Sequence, residues 1–161
     1  MEKRIDPITP ADDDAKALAR HLMRLKNGAL AWTDPQTGTP GISRIALGLG
    51  PDKGLMTFVS SLAAHTPALM ATPDCALMLG DPGEKGDPLT HPRLMLRARA
   101  SFVLPDAPDR PALSAHWLAH HPKAKLYIDF ADFAFVRFTV TEALLNAGFA
   151  RAFRLLPADL G

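Results

Sequence analysis

The sequence has little cysteine and no long apolar run, and both absences limit the classes of protein to which it can belong. Cys75 is the single cysteine among 161 residues, so no internal disulfide can form, which is typical of a reducing compartment. Cys75 stands among apolar neighbours, and we interpret it as a buried small hydrophobe. No segment approaches the roughly 20 apolar residues that span a bilayer. Asp12, Asp13 and Asp14 near the start exclude a readable secretory signal. We therefore expect a cytoplasmic protein that makes no membrane contact.

An excess of charge of one sign is also missing. Eighteen Lys and Arg against seventeen Asp and Glu leave a net charge of +1 with neutral histidine. A nucleic-acid binder needs a surplus of cations for its phosphate contacts, so no nucleic-acid partner is expected. Apolar residues make up 47% of the chain and charged residues 22%, as in ordinary globular domains. We expect residues 1–161 to form a single domain, with residues 1–11 as an N-terminal arm.

Short apolar segments separated by turn residues predict a sheet with a few helices. The strands are expected at 29–33, 41–49, 55–59, 75–79, 93–104 and 133–145. The helices are expected at 12–26, ending at Asn27-Gly28, at 66–71 with Thr66 as N-cap, and at 112–126 with a break at Pro122. Short turns between the first three strands predict an antiparallel meander. The predicted fold class is therefore α+β, a mostly antiparallel six-stranded barrel or sandwich with flanking helices.

Motifs that carry chemistry by themselves are weak in this chain. His116 and His120 stand four apart on a predicted helix, but Trp117 occupies the position where a zinc-protease helix has its glutamate. A solvated helix face is the better interpretation, and no metal site is expected. Gly48-Leu49-Gly50 begins like a dinucleotide fingerprint, yet Lys53 stands where the third glycine belongs, so we predict a hairpin turn. No Gly-x-Ser-x-Gly elbow occurs, and we assign no catalytic side chain.

The most informative segment leaves the third predicted strand and enters the second predicted helix. It contains Ser60, Ser61, His65 and Thr66, and small hydroxyls with free backbone N–H groups at such a junction form an anion site. Helix capping also explains a Ser or Thr here, so the residues leave both interpretations open. Arg44 on the second predicted strand would supply the cation that a phosphate prefers, or would be an exposed charge on an edge strand.

Several blocks between residues 15 and 152 occur in an order and spacing that carry a family likeness. They include Pro40-Gly41-Ile42-Ser43-Arg44-Ile45-Ala46-Leu47 and Ser60-Ser61-Leu62-Ala63-Ala64-His65-Thr66, together with 28–31, 87–94, 121–127, 129–133 and 145–152. In this order they resemble the pyridoxamine 5′-phosphate oxidase-like, FMN-binding split-barrel superfamily, nearest its haem-utilisation branch. The resemblance implies a split β-barrel for the α+β fold predicted above.

The resemblance also implies a cofactor and a site. It implies FMN at the interface of a homodimer, with the phosphate held by Arg44, Ser60, Ser61, His65 and Thr66. The backbone of Ser43, Arg44, Ile45 and Ala46 would face the flavin ring, and Arg93 would contribute from one of the two chains. The expected function is that of an FMN-dependent oxidoreductase whose small-molecule substrate stays unassigned. The flavin would carry the chemistry while the protein positions it.

An alternative on the same scaffold is a non-enzymatic flavin or haem carrier. For haem, the candidate axial ligands are His91, His116, His120 and His121. We expect this scaffold to form a homodimer. Two tryptophans and a phenylalanine-rich last strand predict more apolar surface than one small barrel covers, which supports self-association.

Overall fold

A computed structural model describes residues 8–161 as nine strands and three α-helices. The strands are β1 (Ile8–Pro10), β2 (Asn27–Thr33), β3 (Pro40–Ala46), β4 (Gly48–Leu49), β5 (Leu55–Ser60), β6 (Asp74–Leu79), β7 (Arg93–Val103), β8 (Phe133–Asn146) and β9 (Ala152–Leu155). The helices are α1 (Asp13–Leu22), α2 (His65–Ala71) and α3 (Arg110–His120), with short 3-10 turns at Pro88–Thr90, Pro122–Leu126 and Pro157–Leu160. The predicted α+β class is confirmed.

Hydrogen bonds order the strands as β1-β9-β8-β7-β6-β2-β3, while β5 pairs with β8 and with the short β4. Of the pairings in the described residues, only that of β1 with β9 is parallel. The 14-residue β8 pairs with β5 along its first half and with β9 along its second, and β7 runs along its other edge. Strand β3 ends this order and forms no backbone pairing with β5 within residues 8–161, although the Thr57 hydroxyl of β5 donates to the Ala46 carbonyl at 2.6 Å. The sheet therefore curls without closing, as a split barrel does.

Alternating residues of the sheet fill the inside of this barrel. In β7 the alternate residues from Leu94 to Ala100 are buried, as the sequence predicts, while Arg97 and Arg99 point outwards. Helix α1 adds Ala15 and Ala19 to the same cluster. Burial of these apolar side chains is the main term that stabilises the fold.

Strand β5 is buried on both faces and separates two apolar clusters. Its Met56 and Phe58 face away from the barrel and pack with Trp117 of α3 and with Phe135 of β8. Trp117 is 3% exposed and Phe135 0%, so these aromatics lie in a core and form no uncovered apolar face. Trp117 and Phe135 therefore give no support to the sequence argument for self-association, because they pack against each other in this cluster, and the homodimer stays a prediction. The most exposed large apolar side chain of the sheet is instead Ile42 of β3, at 76%.

The predicted meander is wrong in its third strand. Strand β2 pairs with β3 as expected, but β5 pairs with β8 along its whole length. The chain leaves β3 at Leu47, whose N–H bonds to the carbonyl of Lys26 and whose side chain is fully buried. This bend divides the predicted strand 41–49 into β3 and β4, and only β4 forms the hairpin with β5.

Two predicted helix boundaries also differ from the structure. Helix α1 begins as expected, with the Asp12 carboxylate accepting the Ala15 N–H at 2.8 Å, but it ends at Leu22 rather than 26. Gly28 is not the C-cap of α1, because it lies in β2. Glycine is needed at this strand position since a Cβ would lie 2.7 Å from Leu47 Cδ1. The N-cap of α2 is Ala64, and Thr66 lies inside the helix.

The predicted N-terminal arm and tail contain short strands. Residues 8–10 of the predicted arm form β1 on β9, and residues 1–7 lie outside the described residues. Strands of two to four residues such as β1, β4 and β9 show too little periodicity to be predicted, which explains six expected strands against nine observed. Among residues 8–161, none of the helices has the length and apolar character needed to cross a bilayer.

Candidate functional site

The predicted phosphate turn lies between β5 and α2, and most of its polar groups bond to one another. Ser60 Oγ donates to the Asp132 carboxylate at 2.9 Å and accepts the N–H of Leu62 at 3.1 Å. Thr66 Oγ1 donates to the Ser60 carbonyl at 2.6 Å, and Thr66 is only 2% exposed. In this structure the hydroxyls of Ser60 and Thr66 therefore hold the shape of the turn.

Fewer groups of the turn face outwards than the sequence pattern implies. The N–H of Ser61 bonds to the Asp132 carbonyl at 2.7 Å. The exposed Ser61 hydroxyl has no protein partner among residues 8–161. The Ala64 N–H at the start of α2 is likewise unbonded in the described chain. These two donors could meet an anion, whereas the carboxylate of Asp132 beside them would repel it.

Ser43 and His65 come together across the gap between β3 and α2. Ser43 Oγ lies 3.1 Å from His65 Nδ1 and accepts the indole N–H of Trp32 at 3.0 Å. Because the serine oxygen accepts from Trp32, its own O–H can donate to Nδ1, which leaves the imidazole proton on Nε2. Burial lowers the pKa of His65, so the neutral imidazole is favoured near pH 7. His65 can therefore offer a neutral N–H donor.

The remaining predicted residues of β3 alternate across the strand. Ile45 is buried at 6% exposure, whereas Arg44 and Ala46 are exposed on the opposite face. Arg44 thus points away from the Ser43 side, and it makes no ion pair or hydrogen bond within the described residues. Because β3 is an edge strand, the Arg44 guanidinium is accessible to a ligand that lies along this edge.

Arg93 lies apart from these residues in the same chain. Its guanidinium donates to the carbonyls of Leu89 at 3.0 Å and His91 at 3.4 Å and so fixes the loop before β7. Strand β7 is three strand steps from β3, about 14 Å at the usual strand spacing. One subunit therefore does not bring Arg93 to Arg44.

Two residues that the sequence analysis did not single out organise this region. Trp32 positions Ser43, and Asp132 anchors the turn through both its carboxylate and its carbonyl. Asp132 stands within one of the family-like blocks, but nothing in its neighbours shows that it meets Ser60, 72 residues earlier. Only the pairing of β5 with β8 creates that contact.

A second concavity, the basic cleft, lies between the C-terminal ends of α1 and α3 and the β4–β5 hairpin. Its volume is about 590 Å³. Four cationic side chains, three imidazoles and several apolar or small residues line it: Arg20, Arg24, Lys26, Lys53, His116, His120, His121, Leu47, Gly48, Leu49, Gly50, Leu160 and Gly161. Gly48-Leu49-Gly50, predicted as a hairpin segment, enters this hairpin and forms part of the cleft wall.

The histidines of the cleft are fixed by backbone carbonyls. His116 Nε2 donates to Leu49 O at 2.7 Å and His121 Nε2 donates to Leu47 O at 2.9 Å. His120 donates from Nδ1 to His116 O at 2.9 Å, which leaves its Nε2 without a protein partner in the described chain. Burial, then the charges of Lys26 and His120, lower the pKa of His121, which indicates a locally positive potential.

The other candidate groups are occupied or unreactive. Both ring nitrogens of His91 bond within the loop before β7, to the Gly83 N–H and the Lys85 carbonyl. Burial, with the charge of Asp74, raises the pKa of the Cys75 thiol to about 11, which makes it a poor nucleophile. In residues 8–161 no three potential metal ligands from His, Cys, Asp and Glu converge.

Comparison with known proteins finds relatives in sequence and in structure. No family model matches the chain. The chloroplastic non-canonical heme oxygenase HOZ of Arabidopsis thaliana is 34% identical over 116 residues, which are 72% of this chain and 34% of that protein. The chain therefore spans about a third of the length of this curated relative. One solved chain is 39% identical with a TM-score of 0.83, covering 94% of this chain and 97% of its own.

Named solved structures show the same architecture. A heme binding protein from Mycobacterium smegmatis has 25% identity and a TM-score of 0.79, with 93% of this chain and 61% of that chain covered. A pyridoxinephosphate oxidase family protein from Clostridium acetobutylicum has a TM-score of 0.68 at 15% identity, covering 94% and 100%, and so shares the fold. The chain has the split-barrel fold of the pyridoxamine phosphate oxidase-like proteins, and it is similar to relatives named for heme. The resemblance found from the order of blocks is thereby confirmed.

Proposed function

We propose that this chain is an FMN-binding domain that acts as a flavin-dependent oxidoreductase on a small molecule in the cytoplasm, with the cofactor at a homodimer interface. The observation that carries the proposal is the 3.1 Å approach of Ser43 to His65 beside the unpaired Arg44 on an edge strand. Solved structures with the same fold support it, because they include a pyridoxinephosphate oxidase family protein and a FAD-binding protein.

The outward donors of this region fit a phosphate group in part. Arg44 supplies a cation, and the Ser61 hydroxyl and the Ala64 N–H supply neutral donors, while Ser60 and Thr66 keep the turn in shape. Asp132 opposes the anion, so we expect weaker phosphate binding than an all-cationic turn gives. His65, kept neutral by burial, would donate from Nε2.

The outer edge of β3 fits a flavin ring. An edge strand leaves backbone N–H and C=O groups unpaired, and these can meet a heterocycle whose rim alternates acceptors with a donor. The residues along this edge are Ser43, Arg44, Ile45 and Ala46. When bound, FMN supplies the redox chemistry, and these residues bind and orient it.

A second copy of the chain would complete the pocket. Ile42, 76% exposed on β3, gives the edge an apolar contact that one chain leaves uncovered. Arg93, about 14 Å from β3 within one chain, would then reach the cofactor from the other copy. Sedimentation velocity over a hundredfold concentration range tests this, and a persistent monomer would contradict the interfacial site.

Titration with FMN, followed by its absorption and fluorescence, tests the cofactor assignment. We expect binding by the unaltered protein and a loss of at least about tenfold in affinity for Arg44→Ala, because a charged hydrogen bond to phosphate contributes about 1.5–3 kcal/mol. Arg99→Ala is the matched control, since that exposed arginine pairs with Asp74 at 3.2 Å. No binding, or equal affinity in the Arg44 variant, would contradict the proposed site.

A second candidate function, a haem carrier, is favoured by one observation. Of the four candidate ligands, His120 alone has an Nε2 without a protein partner in residues 8–161, and it lies in the basic cleft. Relatives named for heme support the same ligand class. Haemin titration should give a Soret band that His120→Ala removes and that the control His91→Ala retains. An unchanged band in the His120 variant would exclude this ligation.

A further inference from the structure

The basic cleft gathers four cationic side chains around one concavity. Arg20, Arg24, Lys26 and Lys53 line it, and no Asp or Glu side chain does. None of these four cations forms an ion pair among residues 8–161, whereas Arg97, Arg99 and Arg137 elsewhere each face a carboxylate. In a chain of net charge +1, four unpaired cations around one concavity mark a place of positive potential.

Helix ends account for two of these cations and leave two unexplained. Lys26 Nζ donates to His120 O at 3.0 Å, at the C-terminal end of α3. Arg20 Nε, in the last turn of α1, donates to Asp159 O at 2.9 Å. Cations commonly serve helix C-termini in this way. Arg24 and Lys53 have no such role, because neither side chain makes a hydrogen bond or ion pair in the described structure.

Between the cations the cleft is apolar. Leu47 and Leu160 are buried at 0% and 9% exposure and line it together with Leu49. Gly48 brings the hairpin close to α3, since a Cβ there would lie 3.1 Å from the ring of Trp117. A volume of about 590 Å³ with an apolar lining and a few placed polar groups has the size and character of a small-molecule site.

We propose that the basic cleft is a second ligand site, which takes a small molecule bearing at least two phosphate or carboxylate charges on an apolar body. Arg24 and Lys53 bind the anionic groups, with Arg20 and Lys26 already held in place beside them. Leu49, which is partly exposed in the cleft wall, contacts the apolar body, and the buried Leu47 and Leu160 lie behind it. The site uses none of the residues assigned to FMN and does not depend on that proposal. It shares the cleft with His120, the candidate haem ligand, but its anion contacts do not use that side chain.

Isothermal titration calorimetry with protein already saturated with FMN, or without FMN if none binds, tests this site. The probes are ADP, inorganic pyrophosphate, adenosine and metal-free protoporphyrin. We expect ADP to bind and adenosine to fail, because the charges are essential, and pyrophosphate to bind at least about fivefold more weakly than ADP, because it lacks the apolar body. Binding of protoporphyrin rather than ADP would identify a dicarboxylate as the ligand, and the reverse a phosphate. No heat with ADP, pyrophosphate or protoporphyrin would overturn the proposal.

Variants separate a built site from general charge attraction. Arg24→Ala combined with Lys53→Asn should weaken binding by at least about tenfold, and Asn suits position 53 because its backbone has φ 64°. Arg99→Ala removes one exposed cation elsewhere and should leave the affinity unchanged. Equal losses in all variants, or no loss in the double variant, would overturn the proposal. Circular dichroism melts confirm that each variant is folded.

Discussion

The turn between β5 and α2 and the basic cleft both have residue types that bind anions, yet they use them differently. At the turn, the hydroxyls of Ser60 and Thr66 are bonded within the protein and a carboxylate stands among them. At the cleft, Arg24 and Lys53 are unpaired in the described structure and no acidic side chain lines the cavity. The difference teaches that a group's bonding, more than its residue type, decides whether it can meet a ligand.

Different hydrogen bonds hold the turn and the cleft in place. Asp132 anchors the turn, and the next residue, Phe133, accepts a hydrogen bond at 3.0 Å from the buried guanidinium of Arg110. The cleft instead rests on backbone carbonyls of β4 and the helix ends, which its histidines and Lys26 contact. Changes behind the turn should therefore damage that region while leaving the cleft in place.

The largest expected effect follows from removing the Arg110 guanidinium. It is 7% exposed, donates to Phe133 O and Ile128 O, and lies 5.1 Å from the ring centroids of Phe58 and Phe135. Arg110→Met keeps the apolar volume but strands two buried carbonyls, so unfolding free energy should fall by about 3 kcal/mol. Urea unfolding measures this.

A neighbouring arginine provides the control for that experiment. Arg137 pairs with Asp109 at 2.8 Å, but both side chains are 40% exposed or more. Arg137→Met should therefore cost less than about 1 kcal/mol. If the two variants unfold at the same urea concentration, the buried guanidinium of Arg110 does not stabilise the fold more than the exposed one of Arg137.

A smaller effect is expected at Asp132. Asp132→Asn keeps an oxygen that accepts from Ser60 Oγ and removes the negative charge beside the turn. FMN affinity should rise by about three- to tenfold, since the repulsion of the phosphate disappears, while ADP binding at the cleft stays the same. Parallel titrations with the two ligands measure both. A fall in FMN affinity would place the phosphate elsewhere.

The smallest effect is a pH dependence to which both regions contribute. Burial lowers the pKa of His65 at the turn, and burial with Lys26 and His120 lowers that of His121 at the cleft. Below a pH of about 6.5 the unfolded chain therefore binds protons that the folded chain does not, so stability falls as the pH drops through that value towards the lowered pKa values.

One variant in each region measures how much of the stability lost at low pH comes from that region's histidine. Urea midpoints at pH 7.5 and 5.5 should lie closer together in His65→Asn and in His121→Gln than in the unaltered protein. The amide oxygen of Asn can accept from Ser43 Oγ as His65 Nδ1 does, and the amide N–H of Gln can donate to Leu47 O as His121 Nε2 does. A His21→Gln variant, at an exposed position of α1, is the control. An unchanged spread of midpoints in both test variants would contradict the assignment.

Local pattern carried much of the fold prediction. The alternation in β7, the Asp12 cap of α1 and the break at Pro122 follow from short-range spacing, and all three are observed. The pairing of β5 with β8 was missed because its register joins residues nearly 80 apart, and no local period records such a contact. Of the site residues, the Ser43–His65 approach is observed, whereas the site roles of Arg44 and Arg93 stay predictions.

By itself, the sequence determined the α+β class and the order of the main strands and helices, because apolar periodicity and turn residues act over a few positions. The order of its sequence blocks carried the family resemblance. The tertiary structure decided which polar groups stay available. It bonded Ser60 to Asp132 and Thr66 to Ser60, and it turned Arg44 away from Ser43. It also gathered Arg24 and Lys53, 29 positions apart, at one cleft. The physical reason is that a buried hydrogen bond takes whichever partner the packing of distant strands brings within reach.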